Sequence, residues 1–323
     1  MRVVHLVMSN VFAGIEQHVN ELIDEQQKDC ETFLICNSEI SDKFNTKNII
    51  IIKNFSRRSP FNILKLLINI KKLNVDILHT HGSKTTIIAN IIIKFLKIKH
   101  VSTMHGIKKK TAIYKQASKT IVVSNLANQT IDNQGIVIKN WWSPNLPKEI
   151  NSTREYAIAI GRLEKVKGFD LLIKSWVGIQ SKLVIIGSGN EHKTLKDLIV
   201  TTNLQDKITI VNDLPFKELI NYYSKASILI VSSLNEGGPR VALEALYLKI
   251  PVISTNVGHM SEILPQELLA KPNSLESLKE LVHSYVGNIN INQDAIFKYV
   301  NEEYSITKQS NKIIDIYKEL LIS

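Results

Sequence analysis

The chain has 323 residues, 44% hydrophobic and 22% charged, a globular composition long enough for two cores. Its two cysteines, Cys30 and Cys36, fit neither a disulfide framework nor a metal cluster, which points to a reducing, cytoplasmic setting. Its net charge of +10 sits in one half: residues 1–150 hold 21 Lys+Arg against 11 Asp+Glu, and residues 151–323 hold 19 of each. A basic half is either a solvated face or a surface for phosphate-bearing partners, and no nucleic-acid-binding motif accompanies it.

In chain order, β-branched runs alternate with amphipathic ones. Strands are expected at 2–7, 32–35, 49–52, 76–79, 100–104, 120–123 and 136–138, with helices at 14–27, 61–73, 85–97 and 125–133. The MRVVHLVMSN start is a strand, too short for a signal-peptide core. Residues 86–98 are broken by Asn90, Lys94 and Lys97 and fall short of the ~20 apolar residues of a membrane span. Residues 140–153 (NWWSPNLPKEINST) break the rhythm and are read as a linker. Strands then recur at 156–160, 183–186, 208–211, 228–231 and 252–254. Helices are expected at 169–176, 191–200, 215–224, 239–248, 275–286, 293–303 and 307–321. Repeated βα units predict an α/β protein with two Rossmann-like parallel-sheet domains facing across a cleft, with ligands at the carboxyl ends of the strands. The expected divisions are 1–148, 149–304, and a last helix at 305–323 that packs back toward the first domain.

Within the second half, SSLNEGGPRVALEAL (residues 232–246) runs from a strand end through Glu236, Gly237, Gly238 and Pro239 into a helix carrying Glu244. Glycines admit a close ligand, a helix start favours anions, and carboxylates accept strong hydrogen bonds from sugar hydroxyls. The alternative is an ordinary strand–turn–helix with solvated acids. AIGRLEKVKG (159–168) puts Arg162 and Lys167 after another strand, a pair suited to a diphosphate or, singly, two surface cations. Gly187-Ser-Gly189 is half of a dinucleotide fingerprint and weak by itself, and strand one has no fingerprint, which argues against a dehydrogenase. In the first half, Gly14 opens a helix and His105 ends a strand. His79 and His81 lack a nearby carboxylate or cysteine and make a poor metal site, and no Asp-x-Asp occurs. Trp141 and Trp142 are a cleft wall, an acceptor platform, a membrane contact or hinge packing.

Taken in order, the loop at Gly14, DILHTHG (76–82), STMHG (102–106), IVVSN (121–125), VIKN (137–140), GRLEKVKG (161–168), LVIIGSG (183–189) and the Glu-x7-Glu of Glu236 and Glu244 resemble the retaining GT-B glycosyltransferases of family 4, glycosyl transferases group 1. The resemblance implies a metal-independent hexosyltransferase with no cofactor, using a UDP-sugar or GDP-sugar donor. It assigns Glu236 to the hexose hydroxyls, Gly237 and Gly238 to the sugar or phosphate, and Glu244 to the ribose. Arg162, Lys167 and Gly14 go to the diphosphate, His105 to the transferred sugar, and Asn212 and Leu214 to the base. The sequence departs from the family in having Ala13-Gly14 in place of paired glycines and Trp141-Trp142 after Asn140. The acceptor expected is a glycan or lipid-linked saccharide of bacterial-type surface polysaccharide synthesis. The basic half would meet an anionic inner leaflet as a peripheral membrane contact. The alternatives are a catalytically silent sugar-nucleotide or membrane-binding partner subunit, or a GT-B-fold epimerase or phosphorylase.

Overall fold

The computed structural model describes residues 1–151, 153–287 and 292–322. It divides into two units, 1–140 with 306–323, and 141–305.

The first unit runs β1 (Arg2–Leu6), α1 (Gly14–Gln26), β2 (Glu31–Asn37), β3 (Ile49–Ile52), α2 (Pro60–Leu73), β4 (Ile77–His81), α3 (Ser83–Ile92), β5 (Lys99–Met104), β6 (Lys119–Val122), α4 (Asn125–Gln129) and β7 (Ile136–Val137). The strands form one parallel sheet, β3-β2-β1-β4-β5-β6-β7. Alternation along the strands gives the sheet two buried faces. Val4, Leu6, Ile35 and Leu78 meet α2 and α3 through Ile63, Leu66, Ile70, Ile88 and Ile92. Val7, Leu34 and Cys36 meet α1 through Val19 and Ile23. Helix α3 stops at Ile92, short of residue 97, and the outermost strand β7 has only two residues.

The second unit runs β8 (Tyr156–Ile160), α5 (Phe169–Ser175), β9 (Leu183–Ile186), α6 (His192–Thr201), β10 (Ile208–Val211), α7 (Phe216–Lys225), β11 (Ala226–Val231), α8 (Arg240–Tyr247), β12 (Val252–Thr255), α9 (Met260–Ile263), β13 (Leu269–Ala270), α10 (Leu275–Tyr285) and α11 (Asp294–Glu303). Its parallel sheet has the order β10-β9-β8-β11-β12-β13. Successive strands add outward from β8, first on one side and then on the other. The strand order therefore reverses beside β8, where such sheets open to ligands. Short β13 and four-residue α9 carry too little periodicity to be read from sequence.

The final helix, α12 (Ile306–Ile322), belongs to the first unit, where it packs on α1. The division falls between Asn140 and Trp141, ahead of the 148/149 boundary expected from the sequence. The tryptophans account for the difference. Trp141 is 1% exposed, and Trp142 stacks on Tyr247 of the second unit with ring centroids 4.1 Å apart.

Gly187, after β9, lies against Gly161, after β8: a Cβ at Gly187 would stand 1.9 Å from Gly161 O. Gly187→Ala is expected to lower the stability of the second unit by at least ~2 kcal/mol in urea unfolding, because backbone rather than a movable side chain occupies the space. A Cβ at Gly14 meets nothing within 4 Å, so Gly14→Ala should leave stability within ~1 kcal/mol of the original.

Candidate functional site

The carboxyl ends of β8, β9 and β11 gather their loops in the second unit. The Gly161 and Leu163 N–H groups donate to Ile186 O and Ser188 O at 2.9 and 2.8 Å, which ties the loop after β8 to the loop after β9. On its other side the same loop is tied to residues 232–234. Leu234 N–H donates to Val166 O at 2.8 Å, and Ser232 Oγ to Lys167 O at 2.9 Å. Gly168 makes the turn that allows this approach. It is left-handed, with φ 63°, and a Cβ there would lie 2.2 Å from Ser232 O.

This clamp carries Lys167 onto Glu236. The Lys167 ammonium and Glu236 Oε1 form an ion pair, with the two side chains 19% and 17% exposed. Ser233 Oγ donates to the same oxygen at 2.9 Å. Gly237 and Gly238 follow in the chain. Pro239, expected as the first helical residue, stands just outside α8 as its N-cap, with ψ 109°, and the helix begins one residue later at Arg240. Glu244 is buried rather than solvated. Its Oε2 accepts from the Tyr223 hydroxyl at 3.0 Å, and its Oε1 lies 4.0 Å from the Arg240 guanidinium. Burial, and then the Glu244 charge, push the Tyr223 phenol well up, so it stays protonated and donates.

The other expected residues lie around this centre. Arg162 pairs with Glu164 at 2.6 Å and its side chain is 63% exposed. The loop with Asn212 and Leu214 reaches the glycine loop after β9 through Asp213 N–H, which donates to Ser188 Oγ at 3.1 Å. Ser233, Tyr223 and Arg240 are polar partners that the sequence reading missed. Ser233 stands three residues before Glu236, a spacing that was open to inspection. Tyr223 is joined to Glu244 only by the fold.

In the first unit, Gly14 opens α1, where Glu16 Oε2 accepts the Ala13 N–H at 2.9 Å. His105, half-buried, follows β5 and belongs to a group of five imidazoles. His5 of β1 stands in register with His79 of β4, and His81 lies two residues farther along the same face. His18 of α1 meets His105 edge-on, with ring centroids 4.7 Å apart. The ligand atoms of His5, His79 and His81, and those of His18, His81 and His105, lie within 4.8 Å of one another, a spacing that a metal ion can use. Protein groups already occupy both nitrogens of each member of the first set. His5 meets Gln26 and His81; His79 meets Thr103 at 2.7 Å and the Tyr317 hydroxyl at 2.5 Å; His81 meets His5 and His105. The sequence reading singled out His79, His81 and His105 and missed His5 and His18, which come from a distant strand and helix.

The family model for glycosyl transferases group 1 matches residues 146–302, and that for glycosyltransferase family 4 matches residues 12–138. The chain belongs to the group 1, family 4 glycosyltransferases. This glycosyltransferase is 28% identical over 323 residues to an uncharacterized glycosyltransferase of Methanocaldococcus jannaschii, covering 89% of this chain and 90% of the relative. It is 28% identical over 150 residues to the O-antigen chain mannosyltransferase of Salmonella typhimurium, covering 45% of this chain and 41% of that one. In structure it is similar to Anabaena HepE in complex with UDP-glucose, with a TM-score of 0.82 and 14% identity over 99% of this chain and 100% of that one. Its two parallel-sheet α/β units are those of the GT-B fold.

Burial lowers the imidazoles of the first unit. His5 and His100 fall to about 4, His105 to about 3 with help from Lys108, and His79 and His81 well below the ordinary value. Unfolded histidines titrate near ~6.5, so between about 6.5 and 4 the unfolded chain binds the extra protons and stability is lost as pH falls. Each fully buried ring contributes roughly 1.4 kcal/mol per pH unit in that window. The thermal midpoint of the glycosyltransferase should therefore drop steeply between pH 6.5 and 5, read by circular dichroism. A flat profile would mean that these rings reach water.

Proposed function

We propose that the chain transfers a hexose or N-acetylhexosamine from a UDP-sugar to a lipid-linked saccharide during surface polysaccharide synthesis. The reaction is retaining, metal-independent and carried out at the cytoplasmic face of an anionic membrane. A GDP-sugar is the second donor class. The observation that carries the reading is the half-buried Lys167–Glu236 pair at the glycine-lined strand ends of the second unit. Without a donor each charge compensates the other. A diphosphate takes the lysine's donors, and the freed carboxylate accepts from hexose hydroxyls. As the sugar–phosphate bond breaks, charge grows on the leaving diphosphate, and Lys167 lies where it stabilises that charge. Arg162 can turn to the same phosphates at little cost, because an exposed pair such as Arg162–Glu164 is worth only ~0–1 kcal/mol. Glu244, held by Tyr223, is oriented to take ribose hydroxyls. An O-antigen chain mannosyltransferase among the relatives, and a structural neighbour in complex with UDP-glucose, support a hexose donor.

The surface of the first unit supports the acceptor side. Helix α2 turns Ile63, Leu66 and Ile70 into the core. It exposes Phe61, Leu64 and Ile68 on its other side at 76%, 55% and 44%. Lys65, Lys71 and Lys72 flank that stripe, and Phe95, 72% exposed, follows α3. Residues 43–131 hold 17 Lys+Arg against one carboxylate, Asp76. Large apolar side chains among unopposed cations suit a bilayer with anionic headgroups, where each lysine contributes roughly 1 kcal/mol. No helix of the described residues is long and apolar enough to cross a membrane.

Glu236→Ala and Lys167→Ala should each lower turnover of a UDP-sugar at least tenfold, about 1.4 kcal/mol of barrier. UDP at 100 times its dissociation constant should add about 2.7 kcal/mol of stability, more than GDP at the same concentration. Turnover unaltered in both variants would remove the site. In a separate assay, the chain should sediment with phosphatidylglycerol vesicles and not with phosphatidylcholine vesicles, and the paired substitution Phe61→Ser, Leu64→Ser should release it. Equal binding to both lipids would end the membrane reading.

A further inference from the structure

A row of buried side chains leads inward from His105. Its Nε2 lies 3.1 Å from His81 Nδ1, His81 Nε2 lies 3.1 Å from His5 Nδ1, and His5 Nε2 lies 2.9 Å from Gln26 Oε1. Gln26 and His5 are fully buried and His81 is 3% exposed. The three rings come from β1, β4 and the loop after β5, and the amide comes from the last turn of α1.

A neutral imidazole has one donor and one acceptor nitrogen. In a file of such rings every donor must therefore point the same way, and the group at the closed end sets the direction for all. Protonating His5 or His81 would place a charge in a buried site, and burial holds all three rings neutral near pH 7. At the closed end, the Gln26 oxygen faces His5 and can only accept. His5 must then carry its proton on Nε2, which leaves Nδ1 to accept from His81 Nε2. His81 Nδ1 in turn accepts from His105 Nε2. His105 is left with a bare Nδ1. Reversing the Gln26 amide would invert every link and turn that nitrogen into a donor.

We propose that Gln26, His5 and His81 are positioning residues that hold His105 as the Nε2-protonated tautomer, so that its Nδ1 accepts a hydrogen bond from a substrate sugar hydroxyl at the carboxyl end of β5. The sugar contact rests on the proposed function; the tautomer does not. Two observations argue that the row is a line of command rather than filler. Both nitrogens of His5 and His81 are spent within it, so neither ring can turn without breaking two bonds. A parallel branch holds its neighbour His79 in the same way, between the Tyr317 hydroxyl and Thr103 Oγ1.

The test uses the full chain with 15N-labelled histidine and reads the His105 ring nitrogens by long-range proton–nitrogen correlation, with His105→Asn to assign them. The expected spectrum has Nε2 protonated and Nδ1 bare. Gln26→Leu, which removes the acceptor, should give averaged tautomers at His105 and reduce kcat about fivefold while KM for the donor moves less than twofold. Gln26→Glu, whose ionised carboxylate can only accept, should restore both at a pH where it is ionised. A wild-type His105 protonated on Nδ1, or a tautomer unmoved by Gln26→Leu, overturns the proposal. So does one equivalent of zinc or cobalt retained after dialysis with loss of the ring N–H signals, since a metal would then be doing the holding. An altered tautomer with no change in kcat would keep the positioning and remove the sugar contact.

Discussion

The carboxyl ends of β8 and β9 approach so closely that only glycine fits at position 187, and the loops of the second unit are arranged around that contact. With Gly187 pressed against Gly161, the loop after β8 is fastened to the loop after β9. On its other side it reaches β11, where Gly168 and Ser232 hold it. Lys167 rides at the end of this turn. Its meeting with Glu236, 69 residues away, therefore follows from backbone geometry at three glycines more than from mutual attraction of the charges. An ammonium on a four-carbon stem would otherwise prefer water.

The two units handle charge in opposite ways. The second, with 17 Lys+Arg against 18 Asp+Glu in residues 141–305, pairs charges internally: Lys167 with Glu236, and Glu244 with the Tyr223 hydroxyl and the Arg240 guanidinium. The first holds the buried imidazoles of its sheet unprotonated and carries cations on the exposed side of α2 and after α3. A polar but uncharged interior avoids the cost of a buried ion, provided each ring is hydrogen-bonded. His5, His79 and His81 meet that condition at both nitrogens.

The order of strands and helices was legible because period-2 and period-3.6 patterns of apolar residues are local properties of the chain. Elements too short to show a period, such as α9 and β13, were not. The Glu236 and Lys167 motifs were visible as motifs, and their contact was not, since nothing in the sequence measures the gap between Gly161 and Gly187. Glu244 is the clearest case of environment overriding appearance. Inside a helix it can also be read as a solvated surface acid, and only the fold brings Tyr223 over it. The histidine group was half seen. His79 and His81 stand two apart, but the chain places His5 and His18 far upstream, and parallel-strand register alone sets His5 against His79.

Helix α12 completes the first unit from the far end of the polypeptide, laying Tyr317 over His79. During synthesis, the face of the sheet that carries the imidazoles emerges from the ribosome long before its cover does. The unit that is made first is thus the last to be finished, and for the time it takes to translate some 165 residues (141–305) His79 waits for its Tyr317 partner.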